Sequence, residues 1–167
     1  ITSSMAEPIN TTVNQCMFKD NLAYAINGQE NTASIGAEVS DQSLDLIWHG
    51  NVGYFFPEEQ KVSLKAENRS GSWYEINNTK SKDQVEKEVC TIWLNHGTAP
   101  SNATYSYIIV PGIDNVGAMK NYNIKDTEII ANSADVQAVQ DVANNMIQAM
   151  FYQKGSISAN GIKVSVD

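Results

Sequence analysis

The sequence predicts an all-β, antiparallel sandwich with little or no helix, and three observations carry that expectation. Apolar and polar residues alternate with a period of two in several stretches, which puts one face of an extended chain in a core and the other in water. Two further runs are apolar on both faces, as central strands of a thick sandwich are. Clusters of Asn, Gly, Pro and Ser separate the runs, so roughly a dozen strand-like segments follow one another at the spacing of a sandwich.

In chain order, Cys16 stands in an apolar, strand-like run, and "NGQE" at 27–30 reads as a turn. Ala33, Ile35, Ala37 and Val39 alternate with Ser34, Gly36 and Glu38, as a half-buried strand does. "WHGNVGYFFPEE", Trp48 to Glu59, reads as a buried strand and the turn after it. Val62, Leu64 and Ala66 alternate with lysines and Ser63, and "NRSG" at 68–71 then signals a turn. "VCTIWLN" (89–95) and "YSYIIV" (105–110) are the two-sided apolar runs, with "NHGTAPSN" (95–102) between them as a hairpin connection. "PGIDNVG" at 111–117 is another turn. Val136, Val139, Val142, Met146 and Met150 fall near helical spacing, so local physics favours an amphipathic helix over 134–150. The competing reading is two strands, "ADVQAVQ" and "NMIQAMFYQ", turning at "VANN", where Asn tolerates positive φ. Ile162, Val164 and Val166 close the pattern.

The totals bound what such a chain does. A length of 167 residues suits one domain over 1–167 with a sizeable core. No run of about eighteen apolar residues offers a membrane span. The chain opens at Ile1 without a Met or a signal-like segment, as if cut from something longer. Nineteen acids against eleven bases give a net charge of −8, and Arg69 is the only arginine. Nucleic acid needs clustered Lys and Arg, and none occurs, so neither nucleic acid nor membrane is an expected partner. Cys16 and Cys90 have no CxxC spacing and no histidines at ligand spacing, so no metal and no cofactor is expected. Two buried thiols is the plainer reading of the cysteines; an oxidising compartment would favour a disulfide.

No sequence position declares a catalytic role. His49 has the chemistry of a general base, but no sequence signal supplies an orienting partner or a cleft; a histidine hydrogen-bonded inside the sandwich accounts for it. Glu58 and Glu59 point to opposite sides of an extended chain and cannot share a proton. A carbohydrate contact surface has four candidates: Arg69, Trp73, Tyr74 and His96. Trp73 and Tyr74 follow a turn where an exposed ring could stack on a sugar with Arg69 nearby, although aromatics at strand starts more often join a core. His96 lies in a loop that could meet a ligand. Asn10, Asn68, Asn77 and Asn102 match the N-x-[ST] pattern, weakly in so Asn-rich a chain.

Several stretches together resemble one family. "ITSS", "TTVNQC", "WHGNVGYFFPE", "NRSGSWYEIN", "TIWLNHGTAPSNATYSYIIVPG" and "ANSADVQAVQ" are similar, in order and spacing over roughly Thr11 to Tyr152, to the central β domain of polysaccharide lyase family 8. That family comprises chondroitin AC, hyaluronate and xanthan lyases, and the chondroitin AC type is the nearest likeness. The resemblance implies the later part of an antiparallel supersandwich and strands, in place of a helix, over 134–150. It also implies a parent enzyme that cleaves uronic-acid polysaccharides by β-elimination, secreted or periplasmic in a bacterium. Neutralising the uronate carboxylate acidifies the C5 proton, which a base then removes. In the family an Asn, a His, a Tyr and an Arg do this from a helical toroid that precedes the β domain. No toroid precedes Ile1, and no catalytic residue carries over onto this sequence. His49, Asn51 and Tyr54 have the right letters but match a β-domain motif. The expectation is therefore a scaffold segment, inactive alone, that meets acidic polysaccharide through its parent and the missing toroid. The alternatives are a stand-alone carbohydrate-binding module or a purely structural sandwich.

Overall fold

The computed structural model describes residue 1 and residues 6–167, so most of the opening "ITSS" lies outside the described residues. The chain forms two compact units, 1–120 and 121–167.

The first unit contains strands β1 (Pro8–Met17), β2 (Leu22–Ile26), β3 (Gln29–Ala33), β4 (Glu38–Ser43), β5 (Leu46–His49), β6 (Val52–Phe55), β7 (Lys61–Gly71), β8 (Val85–Thr98) and β9 (Ile108–Pro111). They make two antiparallel sheets, ordered β1-β8-β7-β4 and β3-β2-β5-β6-β9. Alternation decides what lies between them. Val62, Leu64 and Ala66 on β7 stand opposite Leu94, Ile92 and Cys90 on β8, and all six are at most 1% exposed. Ile47, Tyr54 and Leu22 from the other sheet join the same core cluster. Burying such aliphatic side chains contributes about 1.5–3 kcal/mol each, the main term holding the sheets together.

Two tight hairpins set the register of the five-stranded sheet. Asn27 and Gly28 (φ 51° and 75°) join β2 to β3, and Gly50 and Asn51 (φ 58° and 65°) join β5 to β6. Positive φ at both central residues is what the right-handed strand twist demands of a two-residue loop, hence Asn and Gly. "WHGNVGYFF" is thus two strands and their turn. The outer face of this sheet is also covered: the indole N–H of Trp48 donates to the Ile113 carbonyl at 2.9 Å, and Met119 on α2 (Val116–Lys120) is fully buried. A Cβ on Gly53 would meet Ile113 and Met119 at 3.2 Å, so glycine lets this segment sit flat on the sheet.

Four expectations in this unit need correction. The alternating run 33–39 is no single strand: the amide of Ala37 closes a turn on Ser34, and the chain passes there from β3 in one sheet to β4 in the other. Ile35 packs on the core from this corner, which explains its apolar spacing. "NRSG" continues β7, with Asn68 to Gly71 paired to Glu88 through Val85; a long partner strand overrides its turn chemistry. The reversal comes after it, where α1 (Trp73–Ile76) is a single helical turn. "NHGTAPSN" carries the chain from β8 to β9 in the opposite sheet, so it is no hairpin. "YSYIIV" supplies only the short strand β9, at the edge of its sheet, with Ile109 46% exposed.

The second unit opens with a 3-10 turn, Ile124–Asp126, and contains β10 (Thr127–Asn132), β11 (Val136–Asp141), β12 (Met146–Phe151), β13 (Gly155–Ala159) and β14 (Ile162–Val166). They form a three-stranded antiparallel sheet, β10-β11-β12, and the hairpin β13-β14. The helical spacing of 134–150 loses to strand pairing in both directions, Val139 facing Ile129 on one side and Gln148 on the other. The turn is built as the two-strand reading requires: Asn145 takes φ 49°, and Asp141 accepts the backbone and side-chain N–H groups of Asn144 at 2.9 and 2.8 Å. This local cap holds the Asp141 carboxyl below its usual range. On β11, Gln140 is 1% exposed and neither of its amide atoms has a hydrogen-bond partner among the described residues.

Candidate functional site

Acid–base side chains converge in one place, between the two sheets of the first unit. β1 enters beside β8 and turns Asn14 and Cys16 inward; β5 and β6 bring His49 and Tyr54 from the facing sheet. The Asn14 amide donates to the Tyr54 hydroxyl at 2.5 Å and approaches Cys16 Sγ at 3.5 Å. His49 Nδ1 lies 3.5 Å from the same sulfur.

The geometry of this cluster is structural. His49 Nε2 accepts the backbone N–H of Lys19 at 2.8 Å, which leaves the ring proton on Nδ1, facing Cys16. The ring stacks on Phe18 at 5.6 Å and is 2% exposed. Burial holds His49 below the ordinary histidine value, so it stays neutral, with its one lone pair already used. Tyr54 is 2% exposed, and burial pushes its phenol up, away from the phenolate a proton-abstracting tyrosine needs. A tyrosine and a histidine, each 2% exposed, therefore meet a half-buried asparagine here. The asparagine is Asn14; Asn51 sits in the β5–β6 turn.

The candidate carbohydrate contacts divide between two places. Arg69, Trp73 and Tyr74 share the distal end of the β7–β8 hairpin, Arg69 near the end of β7 and the aromatics on α1. Trp73 is 62% exposed, so it does not join the core. Lys82 lies over the Tyr74 ring at 4.5 Å, brought back by the Tyr74 amide bonding the Ser81 carbonyl. Sequence reasoning missed this lysine, because only the loop closure makes it a neighbour. Arg69 is tied to Glu67 at 2.7 Å, which offsets much of its charge. His96 lies nine residues along β8 from Lys87, the partner of Arg69, roughly 30 Å away at the strand rise. There its Nε2 meets the Thr11 hydroxyl at 2.8 Å and its ring tilts on Tyr105. Burial lowers its pKa as well.

An open cavity of about 490 Å³ lies elsewhere on the first unit, between the β2–β3 hairpin and the start of α2. Asp20, Glu30, Asn21, Thr32 and Trp48 are among its walls. Two carboxylates in so small a space disfavour an acidic sugar, although Glu30 is paired with Lys120 at 2.7 Å. Among the described residues no group of three or more His, Cys, Asp or Glu is placed to hold a metal ion. No helix among them is long and apolar enough to cross a membrane.

Comparison with known proteins agrees with this architecture. The model of the polysaccharide lyase family 8 super-sandwich domain matches residues 1–123, and that of the family's C-terminal β-sandwich domain matches 128–167. The chain is 36% identical over its whole length to Chondroitinase-AC of Pedobacter heparinus, of which it covers 24%. It is 32% identical to a hyaluronate lyase of Thermasporomyces composti, over 64% of this chain and 14% of that protein. A solved chondroitinase AC lyase superposes with a TM-score of 0.87 at 34% identity, over 98% of this chain and 24% of that one. The chain thus spans about a quarter of the length of these two chondroitinases. With both family models matched in order along a two-unit β fold, the chain belongs to polysaccharide lyase family 8.

Proposed function

We propose that this chain is a scaffold segment of a bacterial, secreted or periplasmic lyase that cleaves uronic-acid glycosaminoglycans of the chondroitin or hyaluronan type by β-elimination. The segment carries no catalytic residue. The observation behind this is the state of its acid–base groups: His49 has its lone pair occupied, and Tyr54 is buried on Asn14. β-Elimination needs the opposite, a base open to the C5 proton and donors open to the uronate carboxylate. The net charge of −8 supports the same division, since a cleft for an anionic polymer must be positive and this chain carries an excess of acids. In this reading a helical toroid elsewhere in the parent supplies the cleft and meets the acidic polysaccharide.

The test is spectroscopic. The purified chain, mixed with chondroitin sulfate or hyaluronan, should produce no ultraviolet absorbance from unsaturated uronate; turnover above a heat-treated control would overturn the proposal.

A second reading rests on the exposure of Trp73. A ring 62% exposed beside Tyr74 and Lys82 has the make-up of a sugar-stacking platform with a cation for an acidic sugar. Trp73→Ala should then weaken oligosaccharide binding in a titration, and unchanged affinity would remove Trp73 from any such contact. His96, at the far end of β8, would serve a separate contact.

A further inference from the structure

We propose that Cys16 and Cys90 are a site of disulfide formation, a cross-strand bond between β1 and β8 made by exchange with a low-molecular-weight disulfide such as oxidised glutathione. The two cysteines stand directly opposite each other in the β1–β8 register. The kind of pair follows from a neighbour: the Phe18 amide donates to the Glu88 carbonyl at 2.9 Å, and Phe18 and Glu88 lie two places further along the same register. Hydrogen-bonded and non-hydrogen-bonded pairs alternate along an antiparallel ladder, so Cys16 and Cys90 form a hydrogen-bonded pair with Cα atoms about 5.5 Å apart. That Cα spacing is within the disulfide range, but the Cβ atoms of such a pair stand about 5.5 Å apart and must close by roughly 1–2 Å for the bond to form.

The side chains point the same way. Cys16 Sγ touches Asn14 Nδ2 and His49 Nδ1, both inside the sandwich, and Cys90 belongs to the core cluster with Cys16 packed against it. Ala66, next in the row on β7, is a small neighbour of Cys90 in the same core cluster. Both thiols are free in this structure.

Exposure orders the steps. Cys16, half-buried, attacks the small disulfide as its thiolate, forming a mixed disulfide and releasing one thiolate. Cys90 then attacks Cys16 Sγ, closing the cross-strand bond and releasing the second. Two cysteine protons pass to the two released thiolates, and the small disulfide is the species reduced. Burial raises both thiols, Cys90 to about 12, so exchange is slow once the chain has folded.

The experiment refolds the protein across a series of oxidised-to-reduced glutathione ratios and maps non-reduced peptides by mass spectrometry. The expected result is one linked pair of peptides containing Cys16 and Cys90, a higher melting temperature for the oxidised form, and resistance to reductant until denaturant is added. Cys90→Ser should stop at a glutathione adduct on Cys16. Two free thiols, or glutathione adducts alone, in the wild-type chain at every ratio would overturn the proposal. Where refolding yields no folded protein, the same map on protein secreted through an oxidising compartment decides in the same terms.

Discussion

Replacing Tyr54 by Phe removes a single oxygen from the sandwich interior, and the structure sets what that costs. The Tyr54 hydroxyl accepts from Asn14 Nδ2 at 2.5 Å, and among the described residues the other partner of that amide nitrogen is the Cys16 sulfur at 3.5 Å, a weak acceptor. Leaving a buried donor unpaired costs about 1–3 kcal/mol. Asn14 is only half-buried, so water recovers part of this and the expected loss is about 1 kcal/mol. At a urea sensitivity of about 2 kcal/mol per molar, the unfolding midpoint should fall by about 0.5 M. Tryptophan fluorescence reports the right unit, because all three tryptophans (Trp48, Trp73, Trp93) lie within residues 1–120. Adding Asn14→Leu to Tyr54→Phe makes both partners apolar and should restore most of the midpoint, a coupling of about 1 kcal/mol. An unchanged midpoint in Tyr54→Phe, or a double variant worse than both singles, would refute the pairing as a structural contact.

Three further outcomes follow from the same coordinates. His49 is held below the ordinary histidine value, so below about pH 6.5 the unfolded chain binds the proton the folded one refuses. Stability is then lost as pH falls, by at most about 1.4 kcal/mol per pH unit for this group; urea midpoints at pH 7.5 and 5.5 should converge in His49→Gln relative to wild type, and equal slopes would contradict this. Gln140→Met removes a buried amide without partners among the described residues and should raise stability by about 1–2 kcal/mol in thermal unfolding; a drop would mean the amide is satisfied. At Asn145, with φ 49°, glycine should be tolerated while valine should cost about 1–2 kcal/mol, read as faster amide exchange in β11 and β12; equal exchange would argue against the turn.

What the sequence disclosed depended on how local the deciding physics was. Val62, Leu64 and Ala66 alternate because one face of β7 meets the core, but Ser63 between them is buried as well, its hydroxyl accepting from the Asp41 amide. Asn27-Gly28 marks its hairpin because φ is a property of the residue itself. "NRSG" failed for the opposite reason: its pairing partners, Val85 to Glu88, lie beyond a loop, and no local signal competes with ten-residue pairing between β7 and β8. The run 33–39 failed because a corner that keeps Ile35 on the core has the same spacing as a strand. At 134–150 helical spacing and strand pairing both fit the letters, and the Asp141–Asn144 cap with Asn145 decides. The Asn14–Cys16–His49–Tyr54 cluster was illegible as a unit, since β1 and the β5–β6 hairpin meet only across the sandwich. The position of Cys90 opposite Cys16 was hidden likewise, 74 residues away in sequence and adjacent in register.

The central claim is that elimination chemistry resides outside these residues. The most direct measurement is kcat/KM on chondroitin sulfate for the longer lyase proposed to contain this chain, bearing Tyr54→Phe or His49→Gln and assayed well below its unfolding temperature. Values within about threefold of wild type are predicted, because both side chains are 2% exposed, between the two sheets. A loss of about 10²–10⁴, the usual contribution of a general acid or base, in a folded variant would place the chemistry here and contradict the account.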